Sequence, residues 1–168
     1  MNVESGQGRG TTFRVYMPCT AKPESVPAPA PPGTEPKGKG ETVLVVEDEP
    51  ALLAIVTRSL TRLGYRVLQA TDGRGALAVW EQQADEIDLV LTDMRMPGGL
   101  TGLEVATRMR QDKPAMKIIL MSGYSPELEL SGPDSKLNTE YLAKPFELGT
   151  LADMVRRCLD SAPRPRAE

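Results

Sequence analysis

The chain has 168 residues, of which 40% are hydrophobic and 26% charged, enough for one domain with a real core plus extensions. A formal net charge of −3 gives no electrostatic case for nucleic acid or an anionic membrane, and no apolar run approaches the length of a membrane span. Two cysteines, Cys19 and Cys158, read as free thiols of a reducing compartment. The absence of histidine excludes a histidine base, metal ligand or phosphodonor within the chain.

Residues 1–18, "MNVESGQGRGTTFRVYMP", hold a Gly-rich turn followed by an alternating run, with Phe13, Val15 and Met17 on one side of a strand. Residues 19–40 are dense in Pro, Gly, Ala and charge and carry little to bury, so a linker is expected there. Residues 161–168, "SAPRPRAE", are expected to form a disordered tail of the same kind.

From residue 41 to 160 short apolar runs alternate with helical patterns. Strands are predicted at 42–47, 66–70, 88–92, 117–121 and 140–143. In "PALLAIVTRSLTRLG", Leu52, Leu53, Val56, Leu60 and Leu63 recur at helix spacing, with Pro50 suited to the first turn and Gly64 to the C-terminal cap. "GRGALAVWEQQ" and "GLEVATRMRQ" repeat that rhythm, and "ELGTLADMVRRCLD" sets Leu148, Leu151, Val155 and Leu159 on one face. A short helix is expected within 125–139, where Gly132-Pro133 interrupts the pattern. Five strands, each followed by a helix, imply an α/β fold with a parallel sheet covered on both faces.

In such a sheet the ligand site lies beyond the carboxyl ends of the strands. The residues there are Glu47, Asp48 and Glu49 after the first strand, Asp93 after the third, Ser122 after the fourth, and Lys144-Pro145 after the fifth. Each alone has a bland reading: a turn aspartate, acidic residues complementing a helix dipole, a surface serine or lysine. Their conjunction on one sheet edge is what argues for chemistry. Two like charges 4 Å apart cost about 4 kcal/mol at an effective dielectric near 20, so clustered carboxylates shift a pKa or bind a cation. An all-oxygen donor set suits Mg²⁺, and Mg²⁺ with few protein carboxylates commonly accompanies a phosphate. A carboxylate can also be a nucleophile that forms an acyl phosphate, which makes Asp93 a candidate phosphoryl acceptor.

"VLVVEDEP", "LVLTDMRMPGG", "IILMSGY" and "YLAKPF" together resemble the receiver domain of two-component signalling across residues 41–160. The resemblance implies a flavodoxin-like five-strand sheet of order 2-1-3-4-5. It implies phosphorylation of Asp93, with Mg²⁺ held by Glu47, Asp48, Asp93 and the backbone carbonyl of Arg95. It implies that Lys144 contacts the phosphoryl group ahead of a cis bond to Pro145, and that Ser122 and Tyr141 form a switch pair. Arg95 and Tyr124 would flank the site. The implied partners are a histidine kinase, in cis or in trans, and a histidine phosphotransfer protein, in a cytoplasmic setting. Three departures stand out: "MPGGLTGLE" is one residue longer than the commonest loop, the first acidic residue is Glu47 rather than Asp, and the fourth helix is poorly specified.

"SGQGRGTTFRVYMP" resembles the last Gly-rich loop and final strand of a histidine-kinase ATPase domain, which suggests the C-terminal part of a hybrid sensor kinase. No nucleotide site is expected from so short a match. Without an effector segment after residue 160, direct transcriptional output is not expected. Two other readings are a phosphorylation-independent binding scaffold and an aspartate-nucleophile phosphohydrolase. The second would want a second Asp two residues after the first, where Glu47-Asp48-Glu49-Pro50 has none. A flavin or dinucleotide site would need a phosphate-cradling loop after the first strand, where the charge has the wrong sign.

Overall fold

The computed structural model describes residues 2–6, 8–16, 37–96, 99–123 and 139–161. The chain forms two compact units, residues 1–32 and 33–168. In the first, β1 (Asn2–Gly6) pairs antiparallel with β2 (Gly10–Arg14), Val3 opposite Phe13 and Ser5 opposite Thr11. The sequence pattern marked the second strand only. Asn2–Gly6 carries a single apolar residue, and all five positions are exposed, so there is no burial signal to read. Cross-strand pairs hold the hairpin instead: Ser5 and Thr11 hydroxyls lie 2.9 Å apart, and Arg14 bonds Glu4 on the opposite side.

The second unit is a five-strand parallel sheet with helices on both faces. Its elements in chain order are β3 (Thr42–Val46), α1 (Pro50–Arg62), β4 (Arg66–Ala70), α2 (Gly73–Gln83), β5 (Leu89–Asp93), α3 (Gly102–Asp112), β6 (Lys117–Ser122), β7 (Thr139–Ala143) and α4 (Leu148–Asp160). The strand order is β4-β3-β5-β6-β7, which is the 2-1-3-4-5 order expected. Strands β3 and β5 and most of β6 are buried on both sides, which is why they read as unbroken apolar runs.

The sheet divides the core in two. Val43, Val45, Leu91, Ile119 and Met121 face α1 and α4, meeting Leu53, Val56, Leu60, Leu151 and Val155. Leu44, Val46, Val90, Ile118 and Leu120 face α2 and α3, meeting Ala76, Trp80, Val105 and Met109. One strand thus supplies both cores through its two-residue alternation.

The helix signals act locally as expected in most places. Pro50 opens α1, and Gly64 follows its end at φ +93, a conformation that side chains disfavour. Asp72 caps α2 through the Gly75 amide at 2.8 Å. Thr101 and Glu104 form a reciprocal capping box on α3. Two expectations need correction. Leu148 is 40% exposed in the first turn of α4, whose buried stripe is Leu151, Ala152, Val155 and Cys158. The end of the expected linker belongs to the domain: the Gly38 amide donates to Leu63 O at 2.7 Å, and a Cβ on Gly38 would fall 2.8 Å from the Tyr65 ring. The helix expected within 125–139 lies outside the described residues apart from Thr139, as do Met17, Cys19, Tyr124 and residues 162–168.

Candidate functional site

The carboxyl ends of β3, β5, β6 and β7 converge on one edge of the sheet. Glu47 follows β3 directly, with its amide bonded to Ala70 O at 3.1 Å, and its side chain is only 1% exposed. Asp93 is the last residue of β5. Glu47, Asp48 and Asp93 each offer a carboxylate oxygen, and these oxygens lie within 4.8 Å of one another.

Lys144 joins two of them. Its Nζ donates to Glu47 Oε2 at 2.8 Å and to Asp93 Oδ2 at 2.7 Å, with the lysine side chain 20% exposed. The remaining oxygens are partly satisfied by backbone: the Glu49 amide donates to Glu47 Oε1 at 3.3 Å and the Arg95 amide to Asp93 Oδ1 at 3.1 Å. Lys144 is placed by its own backbone, since its amide donates to Ser122 O at 2.7 Å before a cis bond to Pro145.

The charges do not balance. Three carboxylates against one ammonium leave two negative charges when all are ionised. Burial pushes the Glu47 carboxyl above its ordinary range, against the opposing pull of Lys144, and the charge of Asp93 adds to the rise. Burial works against the Lys144 ammonium, but hydrogen bonds to Asp93 and Glu47 outweigh it and hold the group above its usual value. A site of this kind, all oxygen donors with a deficit of two positive charges, fits a hard divalent cation.

The other expected residues take distinct places. Ser122 ends β6 and is 5% exposed, in register with Ala143 of β7. Arg95 reaches the acidic group through its amide. Tyr141 sits in the middle of β7, and its half-buried ring packs against the core on the α2–α3 side. It is therefore not a member of the acidic cluster.

Sequence reasoning passed over Gly102, the first residue of α3. A Cβ there would lie 2.1 Å from Asp93 O and 3.0 Å from Thr92 Oγ1, so only glycine lets α3 start against the end of β5. Thr92, fully buried, donates its hydroxyl to the same Asp93 carbonyl at 3.0 Å. The Gly102 amide donates to Met94 O at 3.1 Å. These contacts fix the backbone that carries the Asp93 carboxylate. The "TGLE" stretch held the signal, since a glycine just inside a capping box has no helical reason to be there.

The strand order, the acidic group at the strand ends and the bridging lysine define a receiver domain, and the chain belongs to the response regulator receiver domain family, matched over residues 43–156. It is similar to the sensor kinase CckA of Brucella abortus, 32% identical over 165 residues, which cover 94% of this chain and 17% of that protein. Among solved structures it resembles the receiver domain of the hybrid histidine kinase CckA, with TM-score 0.60 and 33% identity over 71% of this chain and 99% of that one. It also resembles the response regulator TrrA of Thermotoga maritima in complex with Mg(2+)-BeF, with TM-score 0.61 and 34% identity over 70% of this chain and 98% of that one. The chain spans 17%, 26% and 49% of the length of three curated relatives it matches. No helix among the described residues is long and apolar enough to cross a membrane.

Proposed function

We propose that Asp93 is the phosphoacceptor of this two-component receiver and that a phosphohistidine on a kinase is the donor. The observation that carries the reading is the double bridge of Lys144 to Glu47 and Asp93 at the strand ends. An Asp93 oxygen attacks phosphorus and forms the acyl phosphate as the phosphorus–nitrogen bond to the donor imidazole breaks, and the imidazole leaves with the electron pair. Lys144, already 2.7 Å from Asp93, moves with the new negative charge and neutralises part of it. Ser122 donates its hydroxyl toward the phosphoryl oxygens. Glu47, Asp48, Asp93 and the Arg95 carbonyl would hold Mg²⁺, which would supply the remaining positive charge; the Mg(2+)-BeF complex of TrrA supports this choice of ion.

The added charge then shifts the balance between two arrangements of the Ser122 and Tyr141 region, the output of the module. The domain turns over no substrate beyond its own phosphoryl group. We further propose that residues 1–18 are the end of an ATPase domain, that 19–37 connect it to the receiver, and that the parent is a cytoplasmic hybrid kinase or the cytoplasmic part of one. The alignment to CckA, which extends over 94% of the chain and so past the receiver, supports that organisation. A histidine phosphotransfer protein is the corresponding downstream partner.

Intact mass after incubation with Mg²⁺ and a small acyl phosphate tests the acceptor. The wild type gains one phosphoryl group and loses the gain with chelator, whereas Asp93→Asn gains none. Equal gain in both proteins would refute the assignment.

A further inference from the structure

Arg110 lies in the last turn of α3, half-buried, with a guanidinium that has no ion-pair partner among the described residues. Among the described residues its NH2 donates to Thr139 Oγ1 at 2.7 Å, and its Nε is buried without an acceptor. A half-buried cation left in this state is unfavourable, and a Leu or Met would fill the same space without the desolvation penalty. The charge therefore calls for an electrostatic reason. Strand alternation gives one. Thr139 and Tyr141 fall on the same side of β7, while Glu140 between them points to the opposite side and pairs with Arg157 of α4 at 3.6 Å. The Arg110 charge and the Tyr141 phenol act on each other electrostatically, and the Cys158 thiol adds a smaller pull on the guanidinium. Burial raises the Tyr141 pKa, and the Arg110 charge pulls it back down.

We propose that Arg110 is a positioning residue for Tyr141: anchored on Thr139, its guanidinium holds the phenol end of the ring in the arrangement seen here and so sets how far the ring must be driven to change place. The anchor and the ring stand two residues apart on one strand, so displacement of either is felt by the same guanidinium. This deepens the reading of Tyr141 as the switch ring and rests on it, but the hold itself exists in the unphosphorylated protein and is measurable there.

The test is ¹⁹F NMR of the full chain labelled with 3-fluorotyrosine, with the Tyr141 resonance assigned by Tyr141→Phe. Arg110→Met removes the charge and keeps the apolar stem; Arg110→Lys keeps the charge. The expected result is that Tyr141 in Arg110→Met ionises at a pH higher by about 0.5 or more, because a nearby cation has been lost, while Arg110→Lys stays close to wild type. Phosphoryl gain on Asp93, read by mass, is unchanged in both. A merely structural Arg110 would lower the melting temperature of Arg110→Met and leave the ionisation of Tyr141 where it was, and that result overturns the proposal. The same spectra, taken before and after phosphorylation, separate the two claims. A wild-type Tyr141 resonance that ignores phosphorylation sinks the switch reading. An Arg110→Met resonance that titrates like wild type sinks this one.

Discussion

Lys144 Nζ stands 2.7 Å from Asp93 Oδ2, so the candidate acceptor is neutralised by the group expected to follow its charge after phosphorylation. The same ammonium satisfies Glu47 at 2.8 Å. One cation thus serves two carboxylates, and any divalent ion that enters must share them with it.

That sharing has a measurable consequence. Lys144→Met removes both a repelling charge and a competitor for carboxylate lone pairs. The unphosphorylated variant is expected to bind Mg²⁺ roughly tenfold more tightly than wild type by calorimetric titration, about 1.4 kcal/mol. Its rate of phosphoryl gain is expected to fall, since the charge proposed to neutralise the phosphoryl group is gone. Weaker Mg²⁺ binding in the variant would contradict this account of the site.

Gly102→Ala puts a methyl group 2.1 Å from Asp93 O, a separation that no side-chain rotation relieves. Either α3 or the end of β5 must move. Loss of about 2–4 kcal/mol in urea unfolding is expected, together with slower phosphoryl gain, because the displaced backbone carries Asp93. An unchanged rate would mean that this close approach does not position the acceptor.

The end of the chain leading into β3 is clamped at the opposite edge of the sheet. Arg156 of α4 donates to Glu41 at 2.7 Å and to Asp160 at 2.8 Å. Burial pushes the Glu41 carboxyl up, but the Lys39 amide and the Arg156 guanidinium together outweigh it and hold its pKa below the ordinary 4.5. A carboxylate with a depressed folded-state pKa adds stability that is fully present above its unfolded value and is lost as pH falls through the folded value. The difference in melting temperature between wild type and Glu41→Gln should therefore be steady from about pH 6 upward and shrink below pH 4.5. A difference that grew in acid would reverse the assignment.

Cys158 is 5% exposed, and burial pushes its thiol up to about 11. In a Cys19→Ser background, alkylation by iodoacetamide at pH 8 should be slower in the folded chain than in urea by a factor on the order of 100, since both thiolate and access are lacking. Rapid labelling of the folded protein would show that α4 opens from the sheet.

Much of the fold was readable because its strands are buried on both faces. β4 and α2 fall on the residues their patterns mark, β3, β6 and β7 differ by one residue at one end, and β5 is shifted by one residue at both ends. What was not readable lacks a burial signal. Asn2–Gly6 is held by cross-strand pairs between exposed residues. Gly38 docks on Tyr65 because it has no side chain, the same property that made its segment look like a free linker. The candidate site was legible as a set of strand-end residues, and Glu47, Asp48, Asp93 and Lys144 do meet. The placing of Gly102 was not, since close approach between two backbones leaves no trace in hydropathy.

The most direct test of the central claim is to trap the acceptor chemically. An aspartyl phosphate is reduced by borohydride to homoserine, whereas an unmodified aspartate is not. After phosphorylation with Mg²⁺ and a small acyl phosphate, reduction and peptide mass mapping should find homoserine at position 93 and at no other carboxylate, with none in the chelated sample. Homoserine at position 47 or 48, or phosphoryl gain that leaves position 93 as aspartate, would contradict the account.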